Sequence, residues 1–579
     1  MTRYEEGDGK MPELNELGKV IETDVLIIGG GVAGLFAGVR AREFVDRVTI
    51  VDKGPIGHTS QCYWAAGWHQ LFLPGDDIDA WVKEVVYFED GLCEQDLIES
   101  IYKETFDRIK DFERFGVKFI EAPDGGYKLL TTRGLDHIRK VTPYPRIAGG
   151  VKQIEGLVKE TDRLEVQLLS KVFIVSILKR DSAAVGAVGF DRRSGRFYIF
   201  KAGAVVIATG PCSFRGHYAD QSFLTGDGMI VALKAGAELK NLEFATLWVG
   251  PSRYPWEGIG QVFPWGARLL NAKGEAFMDR YSPILKNDID FNFQVRAMAI
   301  EAREGRGPFY VDCGPIKPED KAFLRPDSGW MWLNISKLHE AGINPLDEKW
   351  EVMPLFWAVQ GIKADVKCRT VVPGLFVGGR VQSVDPGVTM GSWSLGSATV
   401  LGYRAGESAA KYAKSREPSQ IDQDEVRMFK DDLYAPLGKV GIEPEDVLLE
   451  IQSTVFPYDV TILKNEVSLR RALSRIENIR DELLPQMGAR DIHYLAELIE
   501  VRNMTLVAEA MLRASLMRTE SRASHYREDY PSRDDKNWMK WIVVSHDGAK
   551  FNLRTEDLPL DKYKFKPSRY YSDNFRIPR

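Results

Sequence analysis

The chain has 579 residues, with 77 Lys plus Arg against 83 Asp plus Glu for a formal charge of −6, and it is 44% hydrophobic and 28% charged. That is ordinary globular composition. It excludes a disordered chain, a collagen-like chain and a basic nucleic-acid coat. At roughly 150 residues per domain the chain holds about four domain-equivalents, or fewer large ones.

Five cysteines, Cys62, Cys93, Cys212, Cys313 and Cys368, lie far apart. They form no CxxC or Cys/His cluster, so no zinc or iron–sulfur ligand set is expected from this chain. A scattered, odd count suits a reducing compartment. The polar first twenty residues carry no signal pattern, and no apolar run approaches the ~20 residues that cross a bilayer. A soluble cytoplasmic protein without an integral membrane segment or a nucleic-acid partner is expected.

In chain order, Thr23–Ile28 is apolar and β-branched and predicts a buried parallel strand. It runs into Gly29-Gly30-Gly31-Val32-Ala33-Gly34, then a helix pattern to about Phe44, then a strand Arg47–Val51 ending at Asp52. Residues 76–119 carry apolar positions at helical spacing. Residues 164–209 predict five short strands, at Leu164–Leu169, Val172–Leu178, Ala184–Phe190, Arg196–Lys201 and Ala204–Ile207. Turns rich in Pro, Gly and Trp follow to about 350. A last sheet strand is expected at Gly374–Gly379, a helix at Ser394–Ala413, a helical region over 420–520, and a basic, Tyr-rich, extended end from about 546.

The glycine pattern has a physical reading. Gly29 permits a tight turn, Gly31 lets backbone approach a pyrophosphate, and Gly34 permits close helix–strand contact. The helix N-terminus offers free N–H groups to the anion. Asp52 stands 18 residues after Gly34, placed to accept from a ribose hydroxyl. This is a dinucleotide fingerprint, common to FAD and NAD. Three features favour FAD: the strand ending in Ala208-Thr209-Gly210, the Thr225-Gly226-Asp227-Gly228 turn opening a helix, and the late Gly374–Gly379 strand leading into another helix.

The ordering resembles the flavoprotein subunits of the fumarate reductase/succinate dehydrogenase superfamily, over about residues 20–540. Its most specific match is Arg518-Thr519-Glu520-Ser521-Arg522-Ala523-Ser524-His525-Tyr526-Arg527-Glu528-Asp529-Tyr530-Pro531, which is similar to that superfamily's RTESRxxHxREDxP signature. Ala187–Phe190, Phe200–Ala202, Arg303–Tyr310 and the helix around Val85–Gly116 look closest to the α (FAD) subunit of adenylylsulfate reductase.

The resemblance implies an α/β fold: a Rossmann-like FAD-binding domain (20–236 and 351–415) with an inserted capping domain (237–350), a C-terminal helical domain (416–545) and an extended tail (546–579). It implies a small ferredoxin-like iron–sulfur β subunit in a hetero-oligomer, and the basic tail is suited to wrap either that partner or its own domain. The expected FAD contacts are Gly29, Gly31, Val32, Ala33, Gly34, Asp52, Lys53, Thr59, Ser60, Ala66, Gly67, Val172, Ala208, Thr209, Gly210, Asp227, Gly379, Arg380, Ser394 and Leu395. Arg380 stands where relatives place an acid, and a guanidinium suits pyrophosphate oxygens. Some relatives attach FAD through a His in a His-Thr pair. The spacing around His58-Thr59 differs, so non-covalent FAD is expected.

The departures bear on substrate. The family holds a dicarboxylate with two His, a loop Arg and a capping-domain Arg. Aligned by neighbours, these positions are Trp248, Trp357, the loop Thr389–Gly396 with Trp393 and no Arg, and Asn292. Two carboxylates need charge-assisted donors, whereas indoles supply area and π faces. Fumarate, succinate and aspartate are therefore not expected, and a flat, apolar or aromatic small molecule is. Trp248, Trp357, Trp393 and Arg253 are the candidate catalytic residues, Arg253 because it lies near the substrate arginine of adenylylsulfate reductase. Trp256, Trp265, Trp330 and Trp332 add aromatic surface to the expected cap. Two alternatives stay open: adenylylsulfate reduction to AMP and sulfite, and a non-catalytic electron-transfer subunit with a closed pocket.

Overall fold

The computed structural model describes residues 14–144, 149–216, 221–253, 259–322, 336, 338–416 and 420–578. Strand β1 (Lys19–Ile28) continues through the glycine turn into helix α1 (Val32–Ala41) and then β2 (Val48–Asp52). Val25, Leu26 and Ile27 have no exposed surface. A run without polar alternation is buried on both faces of its sheet, as these residues are. Each such side chain contributes about 1.5–3 kcal/mol by burial.

The central sheet is completed by β3 (Gln167–Ser170), β4 (Val172–Arg180), β5 (Ala183–Asp191) and β6 (Phe197–Ile207), in the order β3-β2-β1-β6-β5-β4. The expected strands Arg196–Lys201 and Ala204–Ile207 are one strand. β1 pairs with β6 in parallel from Lys19↔Tyr198 to Ile28↔Ile207. The other edge of β6 changes partner midway. Phe197–Lys201 pairs antiparallel with β5, and Val205–Ile207 pairs parallel with a much later strand. The sequence break marks that change of partner, not a change of strand. The expected helical stretch 76–119 divides into Ile78–Phe88 and Gln95–Arg114 and ends in a short strand at Lys118–Phe119.

A separate four-stranded antiparallel sheet follows: β7 (Thr246–Pro251), β8 (Arg268–Leu270), β9 (Phe309–Asp312) and β10 (Trp350–Ala358), ordered β7-β10-β9-β8. Helix α2 (Phe291–Arg303) packs against β7 and β10. The chain then returns to the central sheet as β11 (Leu375–Val377) and enters helix α3 (Trp393–Lys414), which lies along α1. Gly402 and Gly406 allow that approach, since a Cβ on either would meet the Ala33 or Ala37 carbonyl oxygen at 2.3 or 2.2 Å.

Four helices, Gln423–Tyr434, Pro444–Val455, Glu466–Asn478 and α4 (Ile492–Met517), form the C-terminal helical region. The end of the chain is not simply extended. Lys540–His546 and Phe551–Asp557 form a hairpin beside Leu239–Lys240. Residues beyond it pack on their own chain: Tyr571 is 1% exposed, and Phe565 exchanges two hydrogen bonds with the Gln95 side chain. The tail therefore wraps its own chain here rather than standing out for a partner.

The signature loop is a buried ionic clamp. Arg518 bonds Glu243 at 2.7 Å and Glu520 at 2.8 Å, and Arg522 bonds Glu520 at 2.8 Å. Ser524 Oγ donates to the Pro386 carbonyl at 3.2 Å. The motif thus ties the C-terminal region to the entry of the four-stranded sheet and to the loop before α3. It holds the site from behind and does not line it.

Candidate active site

One cavity runs from the glycine turn, across the C-terminal ends of β1, β2 and β6, to the four-stranded sheet. This is where ligands bind in open α/β sheets. Gly29 has φ +116, and a Cβ there would stand 2.3 Å from the Ala208 carbonyl oxygen. A Cβ on Gly34 would stand 1.8 Å from the Gly29 carbonyl oxygen. Gly34 thus sets the α1–β1 distance and lies outside the lining. Gly31, Val32 and Ala33 line the cavity at the start of α1.

Asp52 also lines it. Its Oδ2 accepts from Gly30 N at 2.7 Å and its Oδ1 from Gly54 N at 2.6 Å. The carboxylate therefore shapes both turns, and each oxygen retains a second acceptor direction. Burial pushes its pKa up, against the two amides that favour its charge.

Lys53 and Asp227 line the cavity, but their charges are turned to each other. Lys53 Nζ lies 2.6 Å from Asp227 Oδ2 and 2.9 Å from Glu500 Oε1, and Asn503 donates to Asp227 Oδ1 at 2.8 Å. Instead of reaching a cofactor as charges, they lock the sheet to α4.

Thr59, Ser60, Ala66, Gly67, Val172, Ala208, Thr209, Gly210, Ser394 and Leu395 all line the cavity. Gly379 does not; at φ +80 it turns the chain so closely over α1 that a Cβ would meet the Ala33 Cβ at 2.6 Å. Arg380 lines the cavity, yet its Nη1 is engaged by Asp385. Asp385 also accepts from Trp393 Nε1 at 3.0 Å. Trp393 is 1% exposed, stacks toward Tyr102 at 5.5 Å and is outside the lining. Its expected substrate role is corrected to that of an anchor for Asp385.

The other indoles fare differently. Trp248 and Trp357 both line the cavity, with ring centroids 6.0 Å apart and planes inclined by 31°. They meet because β7 and β10 are adjacent strands. Arg253, just past β7, is exposed and outside the lining, which removes it from the candidate set. Asn292 is buried and structural: Oδ1 accepts from Leu247 N at 2.9 Å and Nδ2 donates to the Gly387 carbonyl at 2.9 Å. Trp265 lies outside the lining, and Trp256, Trp330 and Trp332 lie outside the described residues.

The lining fits a large polar ligand such as FAD. Ser60 Oγ, Gln61 Nε2, Thr209 Oγ1, Trp357 Nε1, Arg380 Nε and Ser392 Oγ are buried without a hydrogen-bond partner among the described residues, and all six residues line this one cavity. Buried polar atoms are ordinarily paired, so a concentration of them at one wall marks surface shaped for a bound molecule. The first turn of α3 adds unpaired backbone N–H groups at Ser394 and Leu395. His58 is exposed and outside the lining.

Sequence reasoning missed Gln61, Cys62, Trp64 and Trp68 on one wall and Val388 on another, beside Met390 and Gly391 of the loop already singled out. It also missed three buried charges beyond that wall, Arg133, Lys140 and Asp290. None sits in a recognisable motif. The pairing of Arg139–Val141 with His69–Gln70 and the bonds from Arg133 and Asp290 to Thr389 bring this region to the site.

A dinucleotide turn, a cavity with unpaired polar lining and a second sheet closing over it define an FAD-dependent oxidoreductase. The FAD binding domain family matches residues 24–395, and the fumarate reductase flavoprotein C-terminal family matches residues 450–571. The chain belongs to the fumarate reductase/succinate dehydrogenase flavoprotein family, and its cofactor is FAD.

Among its relatives is one chain of the fumarate reductase (CoM/CoB) of Methanothermobacter marburgensis, 30% identical over 560 residues, covering 91% of this chain and 98% of that one. Another is the fumarate reductase flavoprotein subunit of Mycobacterium tuberculosis, 26% identical, with 94% and 98% coverage. The solved quinol fumarate reductase of E. coli superposes with a TM-score of 0.85 over 96% of this chain and 99% of that chain, at 21% identity. Adenylylsulfate reductase of Archaeoglobus fulgidus superposes at 0.79 over 94% and 97%, at 23% identity. These two likenesses speak to the fold. No helix among the described residues is long and apolar enough to cross a membrane.

Proposed function

We propose that the chain is the flavoprotein subunit of a redox enzyme whose substrate is flat and apolar or aromatic rather than a dicarboxylate. The observation that carries this reading is the Trp248–Trp357 pair lining the cavity on adjacent strands. These are the two positions where the resemblance calls for carboxylate-binding His. Inclined indoles offer faces to a planar ligand and no charge to a carboxylate.

FAD, held non-covalently, supplies the two-electron chemistry. The protein residues do the rest. The Gly31–Ala33 turn and the start of α1 receive the pyrophosphate. Asp52 accepts from the ribose, and the first turn of α3 faces the ring end. Trp248, Trp357 and the four-stranded sheet exclude water from the substrate.

Electrons pass to or from a small ferredoxin-like iron–sulfur subunit. The two fumarate reductase relatives are each named as one subunit of a larger enzyme, which supports such an assembly. The five free cysteines suit a reducing, cytoplasmic setting. Exposure of Arg253 weighs against adenylylsulfate reduction, and an open cavity beside both indoles weighs against a closed electron-transfer subunit.

The test is native anaerobic purification with flavin spectrum, iron content and co-purifying chains read together, then reoxidation of the reduced flavin by flat acceptors and by fumarate. A small iron-rich partner and faster reoxidation by a flat acceptor are expected. Fumarate outpacing every flat acceptor would overturn the substrate reading.

A further inference from the structure

Two cations stand behind the indole end of the cavity with part of their hydrogen-bonding capacity unused among the described residues. Lys140 lies on the middle strand of a small sheet formed by His69–Gln70, Arg139–Val141 and Leu129–Thr131. It is 2% exposed. Its ammonium sits 4.5 Å from the centre of the Trp68 ring and 3.6 Å from where a Cβ on Gly391 would stand. Trp68 and Gly391 both line the cavity. No hydrogen bond or ion pair to Lys140 Nζ is formed among the described residues.

Arg133, 5% exposed, lies over the Phe291 ring at 3.8 Å and donates through Nη2 to Thr389 Oγ1 at 3.2 Å. Its Nε is buried without a partner. Its nearest carboxylate, Asp290, is 3.8 Å away. Asp290 is already committed to Thr389 N at 3.0 Å, the Thr389 hydroxyl, and Asn292 N and Nδ2. Asp288 accepts from Gly134 N at 3.1 Å through Oδ2, while its Oδ1 has no hydrogen-bond partner among the described residues.

Burying N–H donors of a cation without acceptors costs free energy that a bound oxyanion would recover. Burial, then the Arg133 charge, pull the Lys140 ammonium down to about 7, with Asp288 acting the other way. Position 389 stands in the loop where the family resemblance calls for an arginine. A guanidinium from a distant segment touches that very residue.

We propose that Lys140 and Arg133 form a subsite for one anionic group, a carboxylate or similar oxyanion, carried by the flat substrate and entering past Gly391 and Thr389. The inference rests on the flat-substrate reading above and adds a single negative charge to it. Gly391 is the opening, because a side chain there would stand between the cavity and the ammonium. Phe291 links the subsite to the indoles: Arg133 covers its ring, and Trp248 meets it at 4.3 Å. An aromatic acid would set its ring against Trp248 and Trp357 and its carboxylate toward the cations.

The test uses FAD-loaded protein and the visible flavin spectrum as readout, with three probes: benzoate, its neutral isostere benzamide, and nitrate, a planar anion without an aromatic body. Benzoate is expected to bind at least tenfold tighter than benzamide. Lys140→Gln is expected to weaken benzoate and nitrate at least tenfold and leave benzamide within twofold, and Lys140→Arg to restore most of the benzoate affinity. Arg133→Gln gives an independent reading of the same subsite should Lys140→Gln fail to load FAD. Equal benzoate and benzamide binding, unchanged by either variant, overturns the anion subsite and leaves the flat-substrate reading intact. Lys140-dependent nitrate binding with both aromatic probes silent overturns the flat body and keeps the subsite. Silence from all three overturns both.

Discussion

Trp248 on β7 and Trp357 on β10 face one cavity with their ring centroids 6.0 Å apart. Trp248 pairs with Leu355, and Trp357 is the extra residue where the register shifts between Leu247↔Phe356 and Thr246↔Ala358, so an irregularity in β10 accompanies the meeting of the two indoles. Diagonal neighbours on a sheet are within reach when the side chains are aromatic.

This relationship yields a mutational expectation. Trp357→Leu keeps the apolar character of the wall while removing a π face, and the loss of aromatic contact is worth about 0.5–1.5 kcal/mol. A flat ligand should weaken by roughly two- to tenfold, read by flavin difference titration, with FAD content unchanged. Unaltered affinity would place the ligand elsewhere in the cavity.

Two glycines three positions apart should respond differently. Gly34→Ala forces a Cβ to within 1.8 Å of the Gly29 carbonyl oxygen, so α1 must leave β1. Overpacking of this kind costs about 1–3 kcal/mol or more, and we expect a lower Tm together with poor FAD loading. Gly31→Ala meets only the Ser60 side chain, its Cβ at 3.3 Å, on the cavity side. It should keep Tm close to the parent while raising the FAD dissociation constant. Calorimetry and flavin occupancy measured on both variants separate the two effects.

His69 predicts the acid response. Burial lowers its pKa to about 4, with its ring 5.2 Å from Phe112. In the unfolded chain it titrates near 6.5. Between those values the unfolded state binds more protons, so stability falls as pH drops through that window. The contribution amounts to roughly 3 kcal/mol at 1.36 kcal/mol per unit. His69→Gln should flatten the stability curve between pH 6.5 and 4 in urea titrations. A slope identical to the parent would contradict the buried neutral imidazole.

The tail reaches the site through Tyr571. Its hydroxyl accepts from Asp290 N at 3.0 Å, and Asp290 holds Thr389 N in the cavity loop at 3.0 Å. Tyr571→Phe removes one buried hydrogen bond, and leaving the Asp290 amide unpaired costs about 1–3 kcal/mol. Tyr571→Ala also opens a void beside Phe88, whose ring is 4.3 Å away, for about 3–5 kcal/mol in all. We expect Tm to fall in that order in thermal unfolding. Equal Tm values would mean that the tail is not packed as described.

Much of the FAD half of this protein can be read along the chain, because its determinants are local. A β-branched run, glycines at fixed offsets and an acid at the next strand end need only three neighbouring elements to find one another. The signature at Arg518–Pro531 is equally legible as a string, but its work as a clamp on Glu243 and Pro386 is not. The substrate end is different in kind. Trp248 and Trp393 look alike in the sequence, yet one faces the cavity and the other donates to Asp385 behind it. Strand register and helix phase decide which way an indole points, and both follow from long-range packing. Lys53 reads as an FAD contact, and its charge is met by Glu500, a residue 447 positions away. Arg133 and Lys140 carry no sequence signal and are buried beside Thr389 and Gly391. Charge is local in the sequence, whereas its balance is set by whatever the fold brings alongside it.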